Sequence, residues 1–277
     1  MRGCPIGMTG RRGIKVKNKI VLKPSYWASV SGGKDSLYML FYILLNLNKY
    51  PLDGVVHFEL EIDFPFIKNV IDYMESECKK YGIKFVRIKP RTTWKELYNQ
   101  YGYPTRVSRW CNSKYKLDAQ RQCKDFLKSQ GYQLVTYIGY CADEVNRFEK
   151  RAGNNEIYPL VDAGINESKI LDWAKEVPIF NDYYKFNKRC GCMYCPMCTM
   201  NNLAYILLYY PNNYEEMMKL AKETELLLGR EYGKPFSVFS GNPKYNAVYK
   251  DKRVREKYLP QLEEQLKKDN IYTTLIK

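Results

Sequence analysis

In 277 residues there is one histidine, His57. It sits inside an apolar, strand-like run, where a core role is the natural reading. No Ser/His/Asp relay can be built on it, and histidine-rich zinc sites are excluded. The P-loop string G-x-x-x-x-G-K-[ST] is absent, so kinase or GTPase chemistry is not implied. Long apolar runs are absent as well. The longest, around residues 37–45, is too short to cross a bilayer, and no apolar segment follows the basic start Met1-Arg2-Gly3-Cys4-Pro5. A cytoplasmic protein without a membrane partner is expected. Acidic residues are few against basic ones, 30 to 45, giving a formal charge of +15. That balance asks for an anionic partner, either a nucleotide or a nucleic acid such as tRNA or DNA, although a lysine-rich solvated surface has the same composition. Low-complexity tracts and repeats are missing too. With 45% hydrophobic residues the chain suits one large α/β domain with an extra module, or two small ones.

What is present centres on Ser25-Tyr26-Trp27-Ala28-Ser29-Val30-Ser31-Gly32-Gly33-Lys34-Asp35-Ser36. An apolar strand runs to Val30, a glycine turn follows, and a helix starts in the apolar run after Ser36. The first N–H groups of a helix lack partners within it, and its N-terminus is the positive end of the dipole. A phosphate supplies what both need, and Gly32 and Gly33 let the backbone approach it closely. Ser31 and Ser36 would add hydroxyl donors and Lys34 a charge. Asp35, repelled by phosphate, would cap the helix or help place a metal ion. A tight turn with an ordinary N-cap is the plainer alternative.

Strands and helices alternate from here on. Strands are expected at 54–61, 83–88 and 133–139, with helices at 66–81, from Trp94 to about Tyr98, and from a Ser113 N-cap to Leu127. Right-handed βαβ units in an open, doubly wound, mostly parallel sheet follow. Glu59, Glu61 and Asp63 leave the second strand at the sheet's C-terminal edge, where they would hold magnesium or a ribose. Arg106, Arg109, Lys114 and Lys116 form a cationic patch around Trp110 and Cys111. Three helical segments are read beyond Met200. The expected organisation is a basic arm at 1–24, a nucleotide-binding α/β domain at 25–180, and a cysteine-cluster and helical region at 181–277.

Nine cysteines in a chain of this kind argue for metal or redox use rather than disulfides. Cys190-Gly191-Cys192-Met193-Tyr194-Cys195-Pro196-Met197-Cys198 gathers four of them into one loop. Thiolates two residues apart converge on one centre through a tight turn. Zinc and a [4Fe-4S] cluster both accept four thiolates. The absence of a nearby histidine and the Cys195-Pro196 pair favour iron–sulfur, with Cys111 able to replace one local ligand.

The string S-G-G-K-D-S resembles the PP-loop of the adenine-nucleotide α-hydrolase-like family, whose members bind ATP or a sulfonucleotide and in many cases cleave ATP between the α and β phosphates. Residues 106–116 resemble the R-x-C-[CT]-x-x-x-K region of phosphoadenosine-phosphosulfate (PAPS) reductase relatives, with Asn112 beside Cys111. The stretch Gly139-Tyr140-Cys141-Ala142-Asp143-Glu144-Val145-Asn146-Arg147 resembles the family's G-x-R-x-[DE]-[ES]-x-x-R. Cys141 replaces the first arginine, while Asp143, Glu144 and Arg147 match. Tyr158-Pro159-Leu160 with Trp173 resembles its "YPL…W" segment. The likeness spans residues 27–198 in the family's order. It implies nucleotide contacts from Ser31, Gly32, Gly33, Lys34 and Ser36, and phosphate or ribose contacts from Arg106, Arg109, Asp143 and Arg147. It also implies ATP with Mg²⁺ as cofactors, an adenylylated acceptor, release of pyrophosphate, and sulfur transfer from a sulfur-donor protein through the cysteine centre. Two alternatives stand beside this. One is an enzyme using PAPS or adenosine phosphosulfate (APS), against which the cysteine-free stretch 269–277 counts. The other is a non-catalytic nucleic-acid or nucleotide-binding module with structural zinc.

Overall fold

The computed structural model describes residues 22–149, 153, 155–240 and 242–269. The basic stretch at 1–21, Gly241 and the end of the chain past Asp269 lie outside the described residues.

Five parallel strands form one sheet in the order β3-β2-β1-β4-β5. They are β1 (Lys23–Val30), β2 (Gly54–Phe58), β3 (Lys84–Ile88), β4 (Tyr132–Tyr137) and β5 (Glu156–Ile157). The strand with the phosphate-loop string is therefore central, with Trp27 beside Gly54 on one flank and Thr136 on the other. Helices α1 (Lys34–Leu44) and α2 (Pro65–Lys80) cover one face. On the other lies α4 (Leu117–Ser129), entered after α3 (Trp94–Tyr101) through a π-helical turn at Cys111–Lys116.

Alternation along the strands explains the two-sided burial. Ala28, Val30 and Val55 pack into the large core with Leu37, Leu40 and Ile67. Trp27 and Val56, pointing oppositely, pack with Cys123 and Leu127 of α4. The open, doubly wound α/β sheet expected from the sequence is what forms. Because β1 neighbours both β2 and β4, the chain reverses its winding beside the end of β1, the position where sheets of this type bind ligands.

The helix boundaries have local causes. Thr93 N-caps α3 with a reciprocal capping box to Glu96, as the Thr-Thr-Trp start suggests. Gly82, in the left-handed region at φ 68°, follows α2. Ser113 does not cap α4 as expected, because helical backbone begins at Trp110 and carries Ser113 within the π-helical turn. No glycine or proline between Trp110 and Ser129 interrupts it.

The remainder is helical. Short helices α5 (Val145–Phe148), α6 (Pro159–Asp162), α7 (Glu167–Glu176) and α8 (Tyr183–Phe186) lead into the cysteine loop. Then come α9 (Met200–Tyr209), α10 (Pro211–Tyr232), α11 (Ala247–Arg253) and α12 (Leu259–Lys268). Leu203, Tyr205, Ile206, Tyr214, Val254, Leu262 and Leu266 from this region join the same core as the sheet residues. Among the described residues no helix is long and apolar enough to cross a membrane.

Candidate active site

The phosphate loop is knit by its own hydroxyls. Ser36 Oγ donates to the Gly33 carbonyl at 2.9 Å and accepts from the Ser31 N–H at 3.2 Å, while Ser31 Oγ lies 3.4 Å from Ser36 Oγ. Gly32 is obligatory. It sits at φ +75°, and a Cβ there would stand 2.7 Å from Ile67 Cγ2. Gly33 is the extended N-cap of α1.

Lys34 is fully buried, its ammonium 2.6 Å from Asp35 Oδ1 and 3.2 Å from Glu167 Oε1. Asp35 therefore does not cap the helix as expected. With an ammonium this close, the carboxylate serves better as an ion-pair partner. Burial pushes the Asp35 carboxyl above its ordinary value, with Lys34 opposing. For Glu167 burial pulls the same way, but Arg189 and Lys34 together win and hold it below the usual range.

Arg189 grips both oxygens of Glu167 at 3.2 and 3.1 Å and reaches Glu144 at 3.2 Å. Glu144 also pairs with Arg147, whose guanidinium lies 4.5 Å from the centroid of the Tyr140 ring. A continuous ion network thus runs from Lys34 through Glu167, Arg189 and Glu144 to Arg147. Asp143 supports it by accepting the Glu167 N–H, in the first turn of α7, at 3.0 Å. The Lys34 N–H donates to the Tyr184 hydroxyl at 2.8 Å.

Against this loop lies a cavity of about 180 Å³ lined by Ser31, Gly33, Asp63, Lys116, Cys190 and Cys192, among others. The phosphate loop and the cysteine loop are thus neighbours. A Cβ on Gly33 would stand 3.9 Å from Cys190 Cβ. Asp63 is pushed up to about 6 by burial, opposed by the nearby Lys116 charge. His57 also lines the cavity, but it is buried in β2 with Nδ1 3.0 Å from the Val30 carbonyl, and burial lowers its pKa.

Other expected residues sit further off. Glu59 does not line the cavity and stands 3.7 Å from Lys89. Glu61 accepts the Trp94 N–H at the start of α3. Arg106 and Arg109 are exposed. Burial raises the Cys111 thiol, and the charges of Lys116 and Arg109 counter it.

Of the four clustered cysteines, Cys192 is buried and Cys190, Cys195 and Cys198 are half-buried. Cys195 Sγ accepts the Met197 N–H at 3.4 Å. Among the described residues no group of three or more histidine, cysteine or acidic side chains is placed so that it could hold a metal ion. The donors nevertheless fit a thiolate-bound group by their chemistry. They are soft and include no histidine. The buried Tyr103 hydroxyl has no hydrogen-bond partner among the described residues.

Sequence reasoning passed over Glu167, Arg189, Tyr184 and Tyr103 as site residues and placed Lys116 only within the cationic patch around Trp110 and Cys111. Arg189 had a signal in its position directly before Cys190. Tyr184 and Tyr103 had none, being two among 26 tyrosines.

A central strand, a glycine loop at a helix N-terminus and an adjoining cysteine loop define an α/β protein of the PP-loop kind. The chain belongs to the phosphoadenosine phosphosulfate reductase domain family, whose model matches residues 25–198. It is similar to an uncharacterized protein of Methanocaldococcus jannaschii, 29% identical over 221 residues, covering 73% of this chain and 50% of the relative. The chain thus spans about half the length of that relative. Among solved structures, the U34-tRNA thiolase NcsA from Methanococcus maripaludis, with its [4Fe-4S] cluster, matches at a TM-score of 0.39 and 16% identity over 72% of this chain and 71% of that one.

Proposed function

We propose that the chain binds ATP with Mg²⁺ on Ser31–Ser36, activates an acceptor oxygen by adenylylation, and replaces that oxygen with sulfur. The observation that carries this reading is the shared cavity. Ser31 and Gly33 of the phosphate loop face Cys190 and Cys192 across it, so a nucleotide and a sulfur centre would meet within one small volume.

In the first step the acceptor oxygen bonds to the α-phosphorus and the α–β bridging bond breaks, releasing pyrophosphate. In the second, sulfide from a donor protein forms a carbon–sulfur bond, and AMP leaves with the former acceptor oxygen. Lys34 and the loop amides would stabilise charge on the β and γ phosphates, an electrostatic term usually large in such reactions. Lys34 has first to exchange part of its pairing with Asp35 and Glu167 for phosphate. Arg189, bound to Glu167 and one residue before Cys190, would keep that carboxylate from collapsing onto the nucleotide. Lys116 would hold anionic groups at the cysteine end. A thiolate-bound [4Fe-4S] cluster, with zinc as the alternative, would be held by four of Cys190, Cys192, Cys195, Cys198 and Cys111; an iron that gave up its cysteine ligand would supply the Lewis acidity suited to sulfide. The +15 charge supports an anionic acceptor such as tRNA or DNA.

Pyrophosphate release from ATP, measured with candidate acceptors, tests the first step. Release that disappears in Lys34→Ala supports it, and intact ATP binding with no release under any condition refutes ATP cleavage. The family match favours a second reading, in which PAPS or APS occupies the loop directly. Calorimetric affinities decide between them, since a sulfonucleotide enzyme would bind PAPS or APS far more tightly than ATP.

A further inference from the structure

A second cavity, of about 350 Å³, adjoins the one beside the phosphate loop. Glu61, Asp63, Trp94, Tyr98, Tyr194 and Glu216 are among the residues lining it. The wall between the two comes from the exit of β2 and the cysteine loop, joined where the Met193 N–H donates to the Ile62 carbonyl at 2.8 Å. Leu60 and Cys192 line the first cavity, whereas Ile62, Met193 and Tyr194 line the second. Asp63 lines both and marks where they meet.

The aromatic side of the second cavity is held from two directions. The Trp94 and Tyr98 rings lie 10° apart with centres separated by 5.5 Å, and Tyr194 meets Trp94 edge-on at 5.3 Å. Glu61 fixes the start of α3 by accepting the Trp94 backbone N–H at 3.0 Å. From the other direction α10 accepts the Tyr98 hydroxyl on Glu223 at 3.2 Å and the Tyr194 hydroxyl on Glu216. Helix α10 lies beyond residues 25–198, so a segment outside the family match completes this cavity.

Its chemistry selects what can enter. The volume falls near the lower end of the roughly 300–1,000 Å³ usual for small-molecule sites, which suits one ring system. Three carboxylates, Glu61, Asp63 and Glu216, line it against one cation, Lys95. That balance repels phosphate and accepts N–H groups. Aromatic side chains complement a planar ring, the manner in which unstacked bases are commonly held.

We propose that the second cavity is the acceptor site and takes a nucleobase of the cyclic-amide kind, with a ring N–H beside its C=O. Trp94 and Tyr98 pack on the ring, Glu216 accepts an N–H, and the edge at Asp63 adjoins the nucleotide cavity. The inference rests on the reading that the chain adenylylates an acceptor. The ring oxygen bonds to the α-phosphorus as pyrophosphate leaves, and the neighbouring N–H proton is released to water. Hydrosulfide from the donor then bonds to the ring carbon, and AMP departs with the oxygen. The hydrosulfide proton moves to the ring nitrogen as C=S forms.

The test measures binding by calorimetry. Uridine, inosine and a uridylate hexamer carry the cyclic amide, whereas 3-methyluridine and adenosine lack its ring N–H. Wild-type protein should bind uridine and inosine on the order of tenfold more tightly than the latter pair. Tyr98→Leu, which removes an aromatic face, and Glu216→Ala, which removes an acceptor, should each weaken uridine and inosine on the order of tenfold. ATP affinity should stay at the wild-type value in both variants, which checks the fold. The hexamer separates two sources of the ring. Binding far tighter than uridine and steeply salt-dependent supports the site with a base in a nucleic-acid strand, and affinity equal to uridine supports it with a free nucleoside. Cyclic-amide probes that fail to bind wild type, that bind it and both variants alike, or that bind no better than the probes lacking the N–H overturn this inference alone. Selective binding with no pyrophosphate release from ATP, whichever acceptor is added, overturns the adenylylation reading and the acceptor role with it.

Discussion

Among single residues, Glu225 offers a measurement that the phosphate loop cannot disturb. Its carboxylate accepts the Val238 N–H at 3.1 Å and the Ala247 N–H at 3.0 and 2.8 Å, joining α10 to the start of α11. Those bonds favour the charged form, but burial outweighs them and lifts the pKa to about 7. The folded state then holds a proton that the unfolded state, with a carboxyl near 4.5, has released. Between those two values folding takes up protons, so this group's contribution falls as pH rises through about 7 and returns on acidification. Wild-type protein should be more stable to urea at pH 5.5 than at pH 8, by about 2 kcal/mol from this group. Glu225→Gln should flatten that difference, because the amide has no proton to gain or lose in this range. Equal pH slopes in the two proteins would exclude the assignment. Nothing in the sequence marked Glu225. The loop residues Ser31 to Ser36 were legible because a glycine string after a strand has few alternative uses. A buried glutamate on a long amphipathic helix looks like any solvated one.

At the level of elements, the sheet and its helices were legible because their periods and stop signals are local. Strand β1, the capped α3 and the glycine after α2 fall where residue pattern puts them. The start of α4 did not, since Ser113 is a good cap that the preceding helical backbone overrides. The π-helical turn there brings Cys111 and Tyr115 into the core and Lys116 to the cavity. Irregular turns of this type often occur at functional sites. The junction between β4 and α1 is equally exacting. A Cβ on Gly139 would stand 2.9 Å from the Asp35 carbonyl oxygen and 3.3 Å from the Ser36 nitrogen, both backbone atoms at the start of α1. Backbone yields less readily than a side-chain tip, so Gly139→Ala should displace the loop at a cost of about 1–3 kcal/mol. Calorimetry should then show ATP binding weakened on the order of tenfold or more. Wild-type affinity in a folded Gly139→Ala protein would show that the contact does not position the loop.

For the whole molecule, the association that sequence could not reveal is between segments far apart in the chain. Phosphate loop, cysteine loop and C-terminal helices each have a readable local pattern, but their contact depends on packing. Phe64, just after β2, lies 6.2 Å from Tyr205 and 5.9 Å from Tyr210, and Tyr183 lies 5.0 Å from Tyr205, ring centre to ring centre. All but Tyr210 are almost completely buried. A chain ended after Cys198, the last residue of the family match, would expose the partners of Leu203, Tyr205, Ile206, Tyr214 and Leu266. Each fully buried side chain of this size contributes about 1.5–3 kcal/mol. Several lost together exceed the roughly 5–15 kcal/mol that separates a folded domain from its unfolded chain. The shortened chain should therefore show no cooperative urea transition, poor dispersion in its amide NMR spectrum, and no retained metal. A native-like spectrum with a sigmoidal transition would mean that the sheet and cysteine loop fold without the helices. The aromatic contacts would then fasten the C-terminal region onto a core already formed.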